Sequence, residues 1–583
     1  MKFSEFTKIT DHAVVLSPNG LCVAYANQFR LIIQDIRTLA VVNVCRCADT
    51  ISDIHWSPDS SLVLCIMRKR NSIQVWSASP SNWSCKIDEG STGLIDACWA
   101  MDSRHILTTC DYFLRITVWS LSNTSVSYMK YPKACPKNLA FSPGGRYLCL
   151  LERRDLQDCM SIFDCQLEWR LVVNVQLPTK DSCGLEWSPD GRYIAVYDSC
   201  LYDTVAIFTA DGRHLHTFSM SKGENYHLGV KSIAWSPSGQ LLAIGGFDQK
   251  CRILNHANWS CLVVLQHPLS KPIAPQLGLS PTGEVLESTL NSDSNRSYRV
   301  AIYQEEASEQ LAGNPPSATP AGAVGRNYSI VSKPIQIPCL KPDPKKPNPK
   351  IGVGLCLFSP TGRYLVTRVD NAPGTLWVWR AGLRFSLISI LTHTSGPVLS
   401  AAWDPQSTAR LALCIGTDVV FMWTPQGCVA VEVGAHFSVR SLSWNFSGDA
   451  LLLKSSDEFC LCYLDHESTA GNEPSALDEF WIAPTSRVMR RLGESDDVGL
   501  TDKTTDEAFL QNAMIEEDTD TSDMPRWARN CEVDKQREKE NHPTRSASSQ
   551  FSKSPPTSLR SGWKYPVTTP AFHRGAKTLA AKK

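Results

Sequence analysis

Twenty-two cysteines and thirteen histidines are the side chains of this 583-residue sequence best suited to metal or redox chemistry, and their spacing argues against it. No two cysteines form a C-x-x-C pair, which a zinc ribbon or a dithiol redox centre needs. The closest pairs, Cys45/Cys47 and Cys460/Cys462, are two positions apart, so in a strand both thiols face one side. They read as small apolar fillers of strands in a reducing compartment. His214 and His216 are the close histidine pair, with no cluster of carboxylates or cysteines beside them to complete a metal site. There is no P-loop of the G-x-x-x-x-G-K-S/T type, no H-E-x-x-H, no G-x-S-x-G and no complete G-x-G-x-x-G opening a helix. The expectation is a protein that is not an enzyme and carries no cofactor or metal.

Charge is the next source of chemistry. The chain has 58 basic and 58 acidic side chains, a balance that argues against a protein that coats nucleic acid. The charge is nevertheless segregated near the C-terminus. Residues 493–524 hold eleven acids against one lysine, and residues 541–583 hold eight Lys/Arg and no acid. In the basic stretch, Lys553, Arg560, Lys564, Arg574 and Lys577 are candidate contacts for an acidic partner. Ser554 and Thr569 each precede a proline and are candidate sites for a proline-directed kinase; each phosphate would add about −1.5 to −2 charge. Between the poles, residues 508–515 could form a short amphipathic helix with Phe509, Leu510, Ala513 and Met514 on one side.

The elements that must position any such groups are repeats. An aromatic-Ser-Pro-x-Gly-like turn stands at Leu16-Ser17-Pro18-Asn19-Gly20, Trp56-Ser57-Pro58-Asp59-Ser60, Trp99-Ala100-Met101-Asp102 and Phe141-Ser142-Pro143-Gly144-Gly145. It recurs at Trp187, Trp235, Phe358, Trp403 and Trp444, with separations of 40, 43, 42, 46, 48, 123, 45 and 41 residues. Apart from the long gap, this is the period of a four-stranded propeller blade. An apolar strand follows each turn, then a tight turn carrying Asn71, Asp111, Asp248, Asp418 or Asp457, whose short polar side chains suit the turn backbone. A third strand then ends in an aromatic, as in Ile73-Gln74-Val75-Trp76 and Val420-Phe421-Met422-Trp423.

The fold class that follows is all-β: a large WD-repeat-like β-propeller of about nine blades, with a proline-rich insertion and a disordered C-terminal tail. The propeller is assigned to residues 1–467, the insertion to about 266–350, and the tail, acidic then basic, to 468–583. Thirteen of the 35 prolines fall between Pro268 and Pro349, so most of the gap reads as a looped-out insertion. It holds a degenerate turn near Leu279-Ser280-Pro281 and a strand-like Arg299-Val300-Ala301-Ile302-Tyr303. Residues 2–8, which precede the first repeat, are expected to supply the outer strand of the last blade and close the ring. With no run of 18 apolar residues and no apolar leader at the N-terminus, the expectation is a soluble intracellular protein without a membrane partner.

Several segments go beyond the generic repeat. Lys86-Ile87-Asp88-Glu89-Gly90, residues 114–121, Tyr131-Pro132-Lys133-Ala134-Cys135 and Glu152-Arg153-Arg154-Asp155 resemble the WD-repeat WRAP family of centrosomes and spindle poles. So do residues 252–256, 348–352 and 459–462, in order, over residues 1 to about 465; the acidic-then-basic tail is not part of the resemblance. The resemblance implies a non-catalytic scaffold at the microtubule-organising centre. That scaffold anchors microtubule minus ends and supports mitotic spindle assembly, with a ciliary role attached. The implied partners are a coiled-coil centrosomal anchoring adaptor and a minus-end-directed kinesin. On that reading the basic tail would hold the scaffold near the acidic microtubule surface. Two other readings stand beside it. One is a substrate receptor of a cullin-type ubiquitin ligase, whose Trp-Asp-x-Arg motif is matched only by Gln34-Asp35-Ile36-Arg37. The other is an RNA- or ribosome-associated translation scaffold, which the neutral charge and missing RNA-binding motifs disfavour.

Overall fold

Each of the nine turns sits where one strand ends and the next begins. A computed structural model describes residues 1–464 apart from residues 82, 221–227, 270–271, 274–299, 308–325, 332, 344–348, 383, 407–408 and 435. In it the first strands of the repeats are Val14–Leu16, Asp53–Trp56, Asp96–Trp99, Leu139–Phe141, Ser182–Trp187, Val230–Trp235, Val353–Phe358, Ser400–Trp403 and Ser441–Trp444. Every one ends on the aromatic or leucine that opens the motif. The described residues form nine sheets, antiparallel apart from one parallel pairing in the seventh, numbered here as blades 1–9 from these first strands. Helical structure among them is limited to three short 3₁₀ turns.

The turn chemistry explains why the motif recurs. Ser17 Oγ donates to Asn19 Oδ1 at 2.6 Å and accepts the Cys22 N–H at 2.9 Å, while Gly20 N–H closes onto the Ser17 carbonyl. Ser57 and Asp59 repeat this in blade 2. The last turn position needs a left-handed backbone, which glycine supplies at Gly20, Gly145, Gly191, Gly239, Gly362 and Gly448. Ser60 and Ser103 take it instead at φ 61° and 59°, and their hydroxyls accept the N–H of Asn19 and Asp59 in the preceding blade's turn.

The tryptophans of the motif stitch neighbouring blades. Trp56, Trp99, Trp187, Trp403 and Trp444 each donate the indole N–H, at 3.0–3.2 Å, to a carbonyl one residue before the motif in the preceding blade: Val15, His55, Ala140, Leu357 and Ala402. The core lies between blades rather than within them. Nine apolar clusters span the nine junctions, because alternate residues of each sheet face opposite neighbours. The cluster joining Val14, Val23 and Tyr25 of blade 1 to Leu452, Phe459 and Leu461 of blade 9 closes the circle.

Closure uses the N-terminus, as its sequence suggests, in two pieces. Lys2–Phe3 and Thr7–Lys8 both pair antiparallel with Glu458–Tyr463, at opposite ends of that strand. Between the two pieces, Phe6 stacks on Phe437 with ring centroids 4.9 Å apart.

The long gap between blades 6 and 7 adds strands as well as loop. Ala301–Ala307 runs parallel to Ser386–Thr392, the fourth strand of blade 7, and Arg326–Ile330 pairs outside it, giving a six-stranded sheet. Of the strand-like segment read at residues 299–303, Ala301, Ile302 and Tyr303 thus lie at the start of real ladder pairing, and residue 299 lies outside the described residues. The buried Glu305 carboxylate receives the N–H groups of Thr394 and Ser395 and the Ser395 hydroxyl, fixing the strand to the next connection. The degenerate turn near Leu279 lies outside the described residues.

Candidate functional site

Each blade turns its chain twice toward either rim of the ring. The connections between blades and the turns between second and third strands share one face; the Ser-Pro turns share the other. Over blades 3 and 4 the first of these faces carries an uncommon surface. Tyr112 and Leu114, beside the blade 3 turn, are 88% and 63% exposed; Leu156, at the tip of the blade 4 turn, is 89% exposed. Tyr131, in the connection between the two blades, is 56% exposed, and Leu201 at the equivalent turn of blade 5 is 68% exposed. Tyr112, Tyr131 and Leu156 have φ of 59°, 62° and 67°, a region costing a bulky residue roughly 1–2 kcal/mol. Large apolar side chains held in water on a strained backbone contribute nothing to the core, and that combination marks a contact surface.

The surface is continuous and stiff. Arg115 pairs in register with Lys130, and the next residue, Tyr131, accepts the Arg153 N–H on its carbonyl at 3.2 Å. The Arg154 guanidinium lies 5.5 Å from the Tyr131 ring centroid, and Arg115 lies 4.9 Å from that of Tyr128. Beneath them Lys133, 6% exposed, donates to Asp158 at 2.6 Å and to Asp181 at 2.8 Å, and Asp158 also accepts the Ser182 N–H. Removing one partner of such a buried pair typically costs about 3–5 kcal/mol, so the connection is pinned to blades 4 and 5.

A second device sets the connections that carry this face. In three blades the third-strand tryptophan is held by a group delivered from the preceding connection. The buried Glu89 accepts the Trp119 N–H at 3.2 Å and the Thr108 hydroxyl. His267 donates from Nδ1 to the Gln249 carbonyl; its Nε2 accepts the Thr367 hydroxyl at 2.8 Å, and that oxygen accepts the Trp379 N–H. Burial pushes His267 down to about 4, so the ring is neutral and this tautomer is the one the partners require. At blade 2 the place is taken by Cys47, whose sulfur accepts the Trp76 N–H. The hydrogen bond from Cys65 holds the Cys47 thiol below its usual range despite burial. Cys47 is therefore more than an apolar filler. Spacing singled out neither Glu89 nor His267, and it marked Cys47 only as a strand filler paired with Cys45; the available signal was a polar residue in a connection preceding a strand that ends in tryptophan.

Four segments that carried the family resemblance, residues 86–90, 114–121, 131–135 and 152–155, thus converge on blades 2–4. The candidate contacts Lys553, Arg560, Lys564, Arg574 and Lys577, and the candidate phosphorylation sites Ser554 and Thr569, lie outside the described residues, as do residues 508–515. Among the described residues, no group of three or more His, Cys, Asp or Glu is placed to hold a metal ion. No helix there is long and apolar enough to cross a membrane.

The mouse WD repeat-containing protein WRAP73 is 41% identical to this chain over 481 residues, covering 81% of this chain and 97% of the mouse protein. The chain belongs to the WRAP73 family. An uncharacterised WD repeat-containing protein of Schizosaccharomyces pombe is 28% identical over 170 residues, covering 29% of the chain and 35% of the yeast protein. The family models of the WD domain, G-beta repeat, and of the eukaryotic translation initiation factor eIF2A match residues 212–255 and 81–228. Among solved structures, a eukaryotic initiation factor aligns over 74% of this chain and 90% of its own, at 11% identity and a TM-score of 0.48. As a WD-repeat propeller, the WRAP73-family chain has the architecture of a protein-interaction scaffold.

Proposed function

We propose that the protein is a non-catalytic scaffold of the centrosome or spindle pole that anchors microtubule minus ends and supports spindle assembly, with a further role at the cilium. The observation that carries the scaffold part is the exposed apolar face of blades 3–5: Tyr112, Leu114, Leu156 and Leu201 on blade turns, and Tyr131 on a connection pinned by the buried Lys133–Asp158 pair. A rigid ring offers such a face without reorganising, which lowers the entropic cost of docking. Family membership supports the placement at the microtubule-organising centre, with a coiled-coil anchoring adaptor and a minus-end-directed kinesin as partners.

The test is a tagged copy imaged against γ-tubulin through mitosis, together with affinity purification. The expected outcome is signal at spindle poles, weakened or misplaced poles after depletion, and a coiled-coil pole protein among the captured partners. Uniform cytosolic signal with normal spindles overturns the reading. Capture dominated by a cullin adaptor or by ribosomal subunits would replace it with the ligase-receptor or translation-scaffold reading.

A further inference from the structure

On the same face as the apolar surface, at the junction of blades 1 and 2, a cleft of about 490 Å³ opens beside Phe29 and Arg46. Its chemistry differs from that of blades 3 and 4. Arg30 and Arg46 are directly opposed across the third and fourth strands of blade 1, and both guanidinium groups lie over the Phe29 ring, 5.9 and 5.0 Å from its centroid. Like charges opposed on neighbouring strands are destabilising. Neither arginine has a carboxylate partner among the described residues. The blade 2 turn adds Arg68, Lys69 and Arg70 at the rim. Two carboxylates answer them: Asp53 takes Arg68 at 2.7 Å and Asp49 takes Arg70 at 2.8 Å. Arg30 and Arg46 are left as an uncompensated positive pair over one aromatic ring, with Lys69 on the neighbouring blade 2 turn, and Gln74 at the cleft wall is already engaged by the Ala48 N–H.

We infer that this cleft is a docking site for an acidic peptide, and that its occupant is the chain's own acidic segment between Glu494 and Asp518. That segment has nine carboxylates against one lysine, with Phe509, Leu510 and Met514 among them. Carboxylates pair with Arg30, Arg46 and Lys69, and an apolar side chain covers the Phe29 ring. The reach is sufficient. About thirty residues separate Leu464, the last described residue of blade 9, from Glu494, and such a chain spans up to ~100 Å. A six-residue strand measures only ~20 Å, so the chain can pass from one face of the ring to the other. Tethering places the segment at an effective concentration on the order of millimolar, enough for individually weak, salt-screened pairs to hold together. Occupied, the cleft is closed to other acidic peptides, so the segment competes with acidic partners for it. The inference goes beyond the proposed function and does not depend on it.

The test uses the full chain and a zero-length carbodiimide cross-linker, which joins a lysine amine to a carboxylate already in contact with it. The expected result is a Lys69 cross-link to residues 494–518 within one molecule, shown by mixing heavy and light protein. It should fall at least fivefold in 0.5 M salt and in the Arg30→Glu, Arg46→Glu variant. Because that variant alters the propeller, a second variant leaves the ring intact and converts the nine acids to Asn and Gln. In it, the amides of residues 28–30 and 46–50 should exchange hydrogen at least fivefold faster than in the parent. Unchanged exchange, cross-links insensitive to salt, or cross-links only between heavy and light molecules overturn the inference. So does capture of added polyglutamate by the parent as readily as by the neutralised variant, which would leave the cleft open to a partner's acidic peptide.

Discussion

Single atoms decide how firmly adjacent blades are joined, and the motif tryptophans allow the effect to be isolated. Trp99 and Trp235 are both almost fully buried, at 7% and 8% exposure, and occupy equivalent strand ends. Trp99 donates to the His55 carbonyl at 3.1 Å, whereas Trp235 Nε1 has no partner among the described residues. Replacement by phenylalanine removes similar volume in both cases, so Trp99→Phe should cost about 1 kcal/mol more than Trp235→Phe in urea denaturation. Equal losses would show that ring volume, not the hydrogen bond, joins the blades. Two buried histidines add a pH dependence. His267 and His393 are pushed down to about 4 by burial, from the ordinary 6.5. The unfolded chain therefore binds more protons between these values, so stability is full above pH 6.5 and falls as the pH drops toward 4. The limit is about 3 kcal/mol for each histidine. The melting temperature should be flat from pH 7 to 8 and fall below 6.5, with a shallower fall in His267→Gln, His393→Gln. An identical fall would assign the acid sensitivity to carboxylates.

The blade is the unit in which sequence and structure agree most closely. Nine turns spaced by a blade-length period mark nine sheets, because Ser, Pro and a left-handed last position form one self-contained hydrogen-bonded turn whatever surrounds them. The closing strand was legible for a different reason: an unpaired short segment ahead of the first repeat must cover the edge of the last. Its division around residues 4–6 was not legible, since it depends on where Phe437 receives Phe6. Deleting residues 1–8 strips the pairing from both ends of Glu458–Tyr463 and uncovers the blade 9 cluster, against which Phe3 packs. The expected result is a lower melting temperature with early proteolysis in blade 9. Unchanged melting would mean that the inter-blade core alone closes the ring.

For the whole molecule, rigidity is what the ring contributes to function. Every core cluster spans a junction, so displacing one blade disturbs both neighbours, and exposed groups keep fixed relative positions. Tyr112→Asp with Leu156→Asp should therefore reduce capture of docking partners about tenfold or more while leaving melting unchanged, since both side chains project into solvent. A drop in melting would show the pair to be structural. Full capture by a folded variant would move the docking surface elsewhere on the ring. The cleft of blades 1 and 2 adds a second, electrostatic site on the same face, and only there should salt control occupancy.

The sequence by itself determined the class, the number of blades and the place of the long gap, because strand alternation and turn chemistry are local and repeat. It also brought out the segments that set this family apart from other propellers. Tertiary structure alone decided that those segments meet. Residues 131–135 and 152–155 are joined through the Tyr131 carbonyl and the Arg153 N–H, and Lys133 reaches Asp181 across 48 positions. Cys47 and Trp76, or His267 and Thr367, likewise become partners only when blades stack. The added strands of blade 7 were half visible: alternation marks residues 299–303 as strand-like, but nothing local selects Ser386–Thr392 as the neighbour. Pairing between distant strands depends on which edge the closed ring leaves open, and that is a property of the packed whole.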